Sequence, residues 1–185
     1  MAKLFMTLIG CTPAGRNIEQ HDVYFGIGDS LKDIVPAVKK FWPDAGKLHF
    51  DAYREVTHVD GCKVQIVPHQ GGTSPYKLFF INLGGYKQNE FEEFHYKMII
   101  AAENKTEAIN RSKQTAFFKH TGFKGASSHI DDKYGVDVDD VFEIKDILSE
   151  DLKQQFSIWV EKTNEQVPED ELHLGYFKLE TILKS

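Results

Sequence analysis

The chain has 185 residues with 28 acidic against 22 basic, a net charge of −6 at pH 7. That balance supplies no basic footprint for nucleic acid or for an anionic membrane surface, and no apolar run approaches the roughly 20 residues that span a bilayer. Hydrophobic residues at 41% and charged residues at 27% are the composition of a soluble globular protein, long enough for one domain or two small halves.

Residues 3–10, Lys-Leu-Phe-Met-Thr-Leu-Ile-Gly, form a short apolar run closed by glycine and read as a buried strand. The run is too short for a secretory leader, so the cytoplasm is the expected compartment. A loop with Pro13, Gly15 and Asn17 leads to a second strand at 21–28. Ser30 then reads as a helix N-cap with Asp33 three residues on. Leu31, Ile34, Val35, Val38, Phe41 and Trp42 follow at helical spacing. Pro36 predicts a kink or a shortened helix, and Pro43 ends it. Residues 47–59 and 62–67 read as strands, with Asp60-Gly61 between them as a hairpin turn.

After a connector at 69–76 the pattern begins again. Lys77-Leu78-Phe79 repeats Lys3-Leu4-Phe5, Gly84 repeats Gly10, Glu93 repeats Glu19 and His95 repeats His21, each 74 positions on. A constant offset without gaps marks an internal duplication. Asn104 and Glu107 take the places of Ser30 and Asp33, and predict a second helix over about 105–119. Ser128-His129-Ile130-Asp131 matches Thr57-His58-Val59-Asp60 at an offset of 71, and 136–144 then follows as the counterpart of 62–67. The expected fold is α+β: two tandem strand-strand-helix-strand-strand repeats, 1–68 and 77–150, packed pseudo-symmetrically, with an antiparallel-dominated sheet and helices on one face. An extension at 151–185 follows. In it 156–160 alternates as a strand, and 174–182 reads as a strand or a closing helix.

The run from Lys77 to Tyr86, with Glu93 and His95, resembles a bacterial domain of unknown function, family 1543. So does the run from His129 to Asp140. That domain occurs in one or two copies per chain, and the resemblance is strongest over 77–145 and looser over the first copy. There Cys11 stands in place of Gly85, and the acidic run is reduced to Asp60-Gly61. The resemblance implies no activity, cofactor or catalytic residue.

His58-x-Asp60 and His129-x-Asp131 are the sharpest candidates for chemistry. Residues two apart on a strand share a face, so each pair would set an imidazole beside a carboxylate, as in a metal site or a carboxylate-oriented base. The competing reading places both aspartates in turns, where they satisfy backbone N–H groups. His21 and His95 open the second strand of each copy. Together with His58, Asp60, His129 and Asp131 they would make a site for Zn²⁺, Fe or Mn²⁺ if all converged. Asp131, Asp132, Asp137, Asp139 and Asp140 form an acidic cluster without EF-hand order, which also suits a solvated edge strand. Cys11 and Cys62 read as two buried free thiols rather than a disulfide. Gly26-x-Gly28, Gly71-Gly72 and Gly84-Gly85 give no phosphate-loop pattern. Three functions fit: a module that binds a small molecule or another protein, a small metal-dependent hydrolase, or a structural homo-oligomer. The residues name no cofactor.

Overall fold

The computed structural model describes residues 1–69, 72–86, 89–114, 136–165 and 167–184, with only the backbone described for Tyr86, Val136, Asp137 and Asp139. In chain order the elements are β1 (Lys3–Cys11), β2 (Gln20–Gly28), α1 (Leu31–Phe41), β3 (His49–Val56), β4 (His58–Val59), β5 (Cys62–Pro68), β6 (Lys77–Tyr86) and β7 (Glu93–Ala102). They continue with α2 (Lys105–Ser112), β8 (Val136–Glu143), a 3₁₀ turn (Ile144–Ile147), α3 (Glu150–Gln155), β9 (Phe156–Lys162), β10 (His173–Lys178) and α4 (Leu179–Ile182). The class is α+β, and the strand pairings are antiparallel. Among the described residues no helix is long and apolar enough to cross a membrane.

The chain forms two compact units. Unit 1 joins Met1–Gly72 to Leu148–Ser185, and unit 2 is Thr73–Ile147. Unit 1 holds a four-stranded sheet in the order β10-β3-β1-β2 and a three-stranded sheet in the order β4-β5-β9. The first sheet buries one face against helices. Phe5 and Ile9 of β1, Tyr24 of β2 and Phe50 of β3 pack on Ile34, Val35 and Val38 of α1 and on Leu179 and Ile182 of α4. Alternation along β1 therefore leaves Leu4, Met6, Leu8 and Gly10 on the opposite face. The extension supplies β10 and α4, so 173–182 is a strand followed by a helical turn.

α1 runs through Pro36. Proline cannot donate to the carbonyl one turn back, but Lys32 and Pro36 are both exposed, so water reaches the freed acceptor. At the helix start the Asp33 carboxylate accepts hydrogen bonds of 2.8 Å from both the N–H and the hydroxyl of Ser30. These bonds hold the Asp33 carboxyl below the usual carboxylate range. The turn between β4 and β5 has φ of 53° at Asp60 and 73° at Gly61, the positive pair that a tight hairpin needs. Cys11 and Cys62 are buried free thiols.

Unit 2 holds a sheet in the order β7-β6-β8. Phe79, Ile81 and Leu83 of β6 and Ile100 and Ala102 of β7 close on Ala108 of α2. Its pairing follows that of unit 1. Gly10 faces His21 on β2 and His49 on β3, while Gly84 faces His95 on β7 and Asp137 on β8. A register shift falls between Leu8 and Ile9 in the first case and between Asn82 and Leu83 in the second, the same place at the 74-residue offset.

This register corrects one expectation. Among the described strands β8 pairs with β6 as β3 pairs with β1, so it corresponds to β3 rather than to β5, at an offset of 88 (His49 to Asp137). Residues 128–131, matched to 57–60 in sequence, lie outside the described residues.

Candidate functional site

Antiparallel partners point to the same side of a sheet. Gly10, His21 and His49 are partners across β2-β1-β3, so they form a row on the face turned away from the helices. A side chain in the middle of that row would fill it. A Cβ on residue 10 would stand 2.7 Å from His49 Nε2, 2.4 Å from Asp51 Oδ2 and 3.2 Å from His21 Cδ2. Those contacts are shorter than atoms tolerate, so glycine is what lets the imidazoles approach each other.

Two carboxylates complete the row. Glu19 lies two residues before His21 and shares its side of the chain. Asp51 enters through a β-bulge: Phe50 pairs with Ile9 and Ala52 with Leu8, leaving Asp51 as the extra residue. Alternation alone already puts Asp51, two residues after His49, on the same face, and the bulge leaves it unpaired beside the row.

The four side chains form a closed ring. His49 Nε2 lies 3.0 Å from Glu19 Oε1 and 3.3 Å from Asp51 Oδ1. His21 Nε2 lies 3.2 Å from Asp51 Oδ2 and 3.6 Å from Glu19 Oε2. The His49 side chain is only 4% exposed, Asp51 is 27% exposed, and His21 and Glu19 are 40% and 41% exposed. One side of the ring is therefore fixed inside and the other is open to solvent.

Proximity has not produced hydrogen bonds on the buried side. Both ring nitrogens of His49 and Oδ2 of Asp51 are buried without a hydrogen-bond partner. At 3.0–3.3 Å the distances are short enough, so it is direction that fails: the oxygens lie off the N–H axes. Tyr176 on β10 covers the outer side of His49, with ring centroids 4.1 Å apart.

Cys11, the last residue of β1, is buried nearby in sequence. Burial first, then the charge of Glu19, pushes its thiol pKa up. It stays protonated at neutral pH and is a poor nucleophile.

The chain resembles a known family in this region. A family model described as Domain of Unknown Function (DUF1543) matches residues 16–66. That stretch contains Glu19, His21, His49 and Asp51. It falls within unit 1, not on 77–145, where the stronger resemblance was expected. No curated protein matches the chain. Among solved structures, the crystal structure of protein Il1583 from Idiomarina loihiensis is similar with a TM-score of 0.65 at 23% identity, over 97% of this chain and 98% of that one. The likeness is one of fold.

Of the residues singled out in sequence, His21 alone belongs to the ring. His58 and Asp60 do not share a strand face: His58 is in β4 and Asp60 is in the turn after it. His58 Nδ1 lies 2.9 Å from the Thr57 hydroxyl. The Asp170 carboxylate accepts from the N–H groups of Thr57 and His58 and from the Thr57 hydroxyl, which ties the 167–172 segment to the start of β4. His95 lies in unit 2, opposite Gly84. His129 and Asp131, with Asp132, lie outside the described residues.

Glu19, His49 and Asp51 were missed as a set. The signal existed, because His49-Phe50-Asp51 is itself a His-x-Asp motif, the same pattern that drew attention to His58.

Proposed function

We propose that this protein is a ligand-binding module built from two related units, with its principal site at the Glu19–His21–His49–Asp51 ring. One observation carries the reading: a nearly fully buried histidine faces two carboxylates and has neither ring nitrogen in a hydrogen bond. A buried polar group left without a partner costs about 1–3 kcal/mol, and a bound water, ion or ligand is one way such a group is satisfied. The half-open rim formed by His21 and Glu19 gives a small ligand access.

The shared strand order, the shared Gly–His pairing and the bulge at the same register position support tandem relatedness of the two units. The test is a ligand panel of small carboxylic acids, amines, sugars and divalent cations, read by ¹H–¹³C NMR of the histidine ring signals. Saturable shifts of the His21 and His49 signals, absent in Asp51→Asn, are expected. A folded protein whose histidine signals respond to no member of the panel would sink this reading.

A further inference from the structure

We propose that the ring of Glu19, His21, His49 and Asp51 binds one divalent first-row transition-metal ion, an inference that rests on the binding reading above and names its ligand.

The donor set is the first ground. Two imidazoles and two carboxylates are the ligands that Zn²⁺, Co²⁺, Fe²⁺ and Mn²⁺ share, and two nitrogens disfavour Mg²⁺ and Ca²⁺, which take oxygen.

The second ground is charge. Among the described residues Glu19 and Asp51 form ion pairs only with the two histidines, not with lysine or arginine. With neutral imidazoles the ring carries two negative charges beside a buried side chain, and one dication balances them.

The third ground is direction. Nitrogen and oxygen atoms meet at 3.0, 3.2, 3.3 and 3.6 Å. Tetrahedral ligands bound at about 2.0–2.2 Å stand about 3.3–3.6 Å from one another. A hydrogen-bonded cluster would instead aim its N–H groups at the oxygens. Here the buried imidazole aims at neither, and His49 Nε2 and Asp51 Oδ2 sit where a side chain at residue 10 would stand.

As they stand, no group of three or more His, Cys, Asp and Glu side chains among the described residues is placed to hold a metal ion. The ring is closed on itself, with each carboxylate spanning both imidazoles. Loading therefore requires rearrangement, and the structure divides the labour. His49 and Asp51 sit on β3 in the buried half, whereas Glu19 and His21 have exposed side chains that can turn without disturbing the core. The resulting order of events is capture by His21 and Glu19 at the rim and closure onto His49 and Asp51. No bond other than coordination forms, and the imidazoles and carboxylates bind in their deprotonated states.

Chelator-treated protein is titrated with Zn²⁺ and with Mg²⁺ by calorimetry, and with Co²⁺ by visible absorption. Bound Zn²⁺ and tetrahedral Co²⁺ bands are expected, with one equivalent lost in Asp51→Asn, in His49→Gln and in Glu19→Gln, and retained in His58→Gln. Excess Mg²⁺ is expected to leave the Co²⁺ bands unchanged. Glu19 is at the rim, so Glu19→Gln keeps the test open should a β3 variant fail to fold. Absence of Zn²⁺ and Co²⁺ binding by the folded protein overturns the proposal, as does an equivalent that survives both Asp51→Asn and Glu19→Gln. An organic ligand that shifts the histidine signals while no metal binds would overturn the metal and keep the binding module.

Discussion

Unit 1 and unit 2 use the same backbone device with different side chains. In each, a glycine on the first strand faces a histidine on the second, and the third strand bulges one residue past that row. The third-strand partner of the glycine is His49 in unit 1 and Asp137 in unit 2, and the bulge residue is Asp51 in one and Asp139 in the other. In unit 1 a fourth strand, β10, pairs with β3 and lays Tyr176 on His49. In the described sheet of unit 2, β8 is the last strand. The pairing geometry is thus the persistent part, and the chemistry is set by which residues occupy two positions of the third strand. In unit 1 the added strand helps to bury His49; among the described residues of unit 2 no strand lies outside β8.

The largest expected effect comes from giving unit 1 the third-strand residue of unit 2. His49→Asp sets a buried carboxylate beside Glu19 and Asp51, and should cost about 3–5 kcal/mol at neutral pH. Like charges raise carboxyl pKa values in the folded state, so the folded state binds protons more readily and the loss should shrink as pH falls. Urea denaturation at pH 7 and pH 5 reads both. Both tryptophans, Trp42 and Trp159, lie in unit 1, so their fluorescence follows that unit. A variant as stable as the parent at pH 7 would break the view that burial distinguishes the two sites.

Helix packing separates the units next. α1 buries Ile34, Val35 and Val38, while α2 buries Ala108 and Ser112 and leaves Ile109 half-buried. Ile34→Ala should therefore cost about 2–5 kcal/mol. Ile109→Ala should cost less, on the order of 1–2 kcal/mol for a partly exposed side chain. Equal costs by denaturant midpoint, or a larger one for Ile109, would contradict the packing contrast.

Gly10→Ala tests the row itself. The added methyl group meets Asp51 Oδ2 at 2.4 Å and His49 Nε2 at 2.7 Å. Overpacking of this kind costs about 1–3 kcal/mol, and the histidine ring signals of both His21 and His49 should move. Unchanged ring signals would mean that the glycine does not hold the row open.

The smallest effect concerns the helix caps. Ser30 donates two hydrogen bonds to the Asp33 carboxylate, whereas Asn104 accepts one from the N–H of Glu107 at 3.0 Å. Asn104→Ala should cost about 1 kcal/mol at any pH near neutral. The Asp33 contribution is pH-dependent. Its folded pKa is lowered, so the stabilisation is present above the unfolded carboxyl value and is lost as pH falls through the folded value. A carboxyl NMR titration of Asp33 should give a midpoint below the ordinary aspartate value, and Ser30→Ala should move it back up.

Much of this architecture was legible in the residues. Strand and helix patterns are local, because alternation and 3.6-residue periodicity depend on near neighbours. So β1, β2, α1 and the Asp60-Gly61 turn could be read directly, and the residues matched at an offset of 74 include Gly84 and His95, which pair as Gly10 and His21 do. Pro36 misled only in part, since solvent satisfies what the proline leaves open.

The site was not legible in the same way. His49-x-Asp51 and His58-x-Asp60 are identical as text. What separates them is that β3 pairs with β1 so that His49 meets Gly10 with Asp51 on the same face, while Asp60 is spent on a positive-φ turn. Strand register is a long-range property, fixed by the buried face of the whole sheet rather than by neighbouring residues. The residues alone were enough to read β1, β2, α1, the Asp60-Gly61 turn and the α+β class. Which groups surround Gly10 was settled by the pairing of β1 with β2 and β3 and by the cover of β10, which bring together groups far apart in the chain.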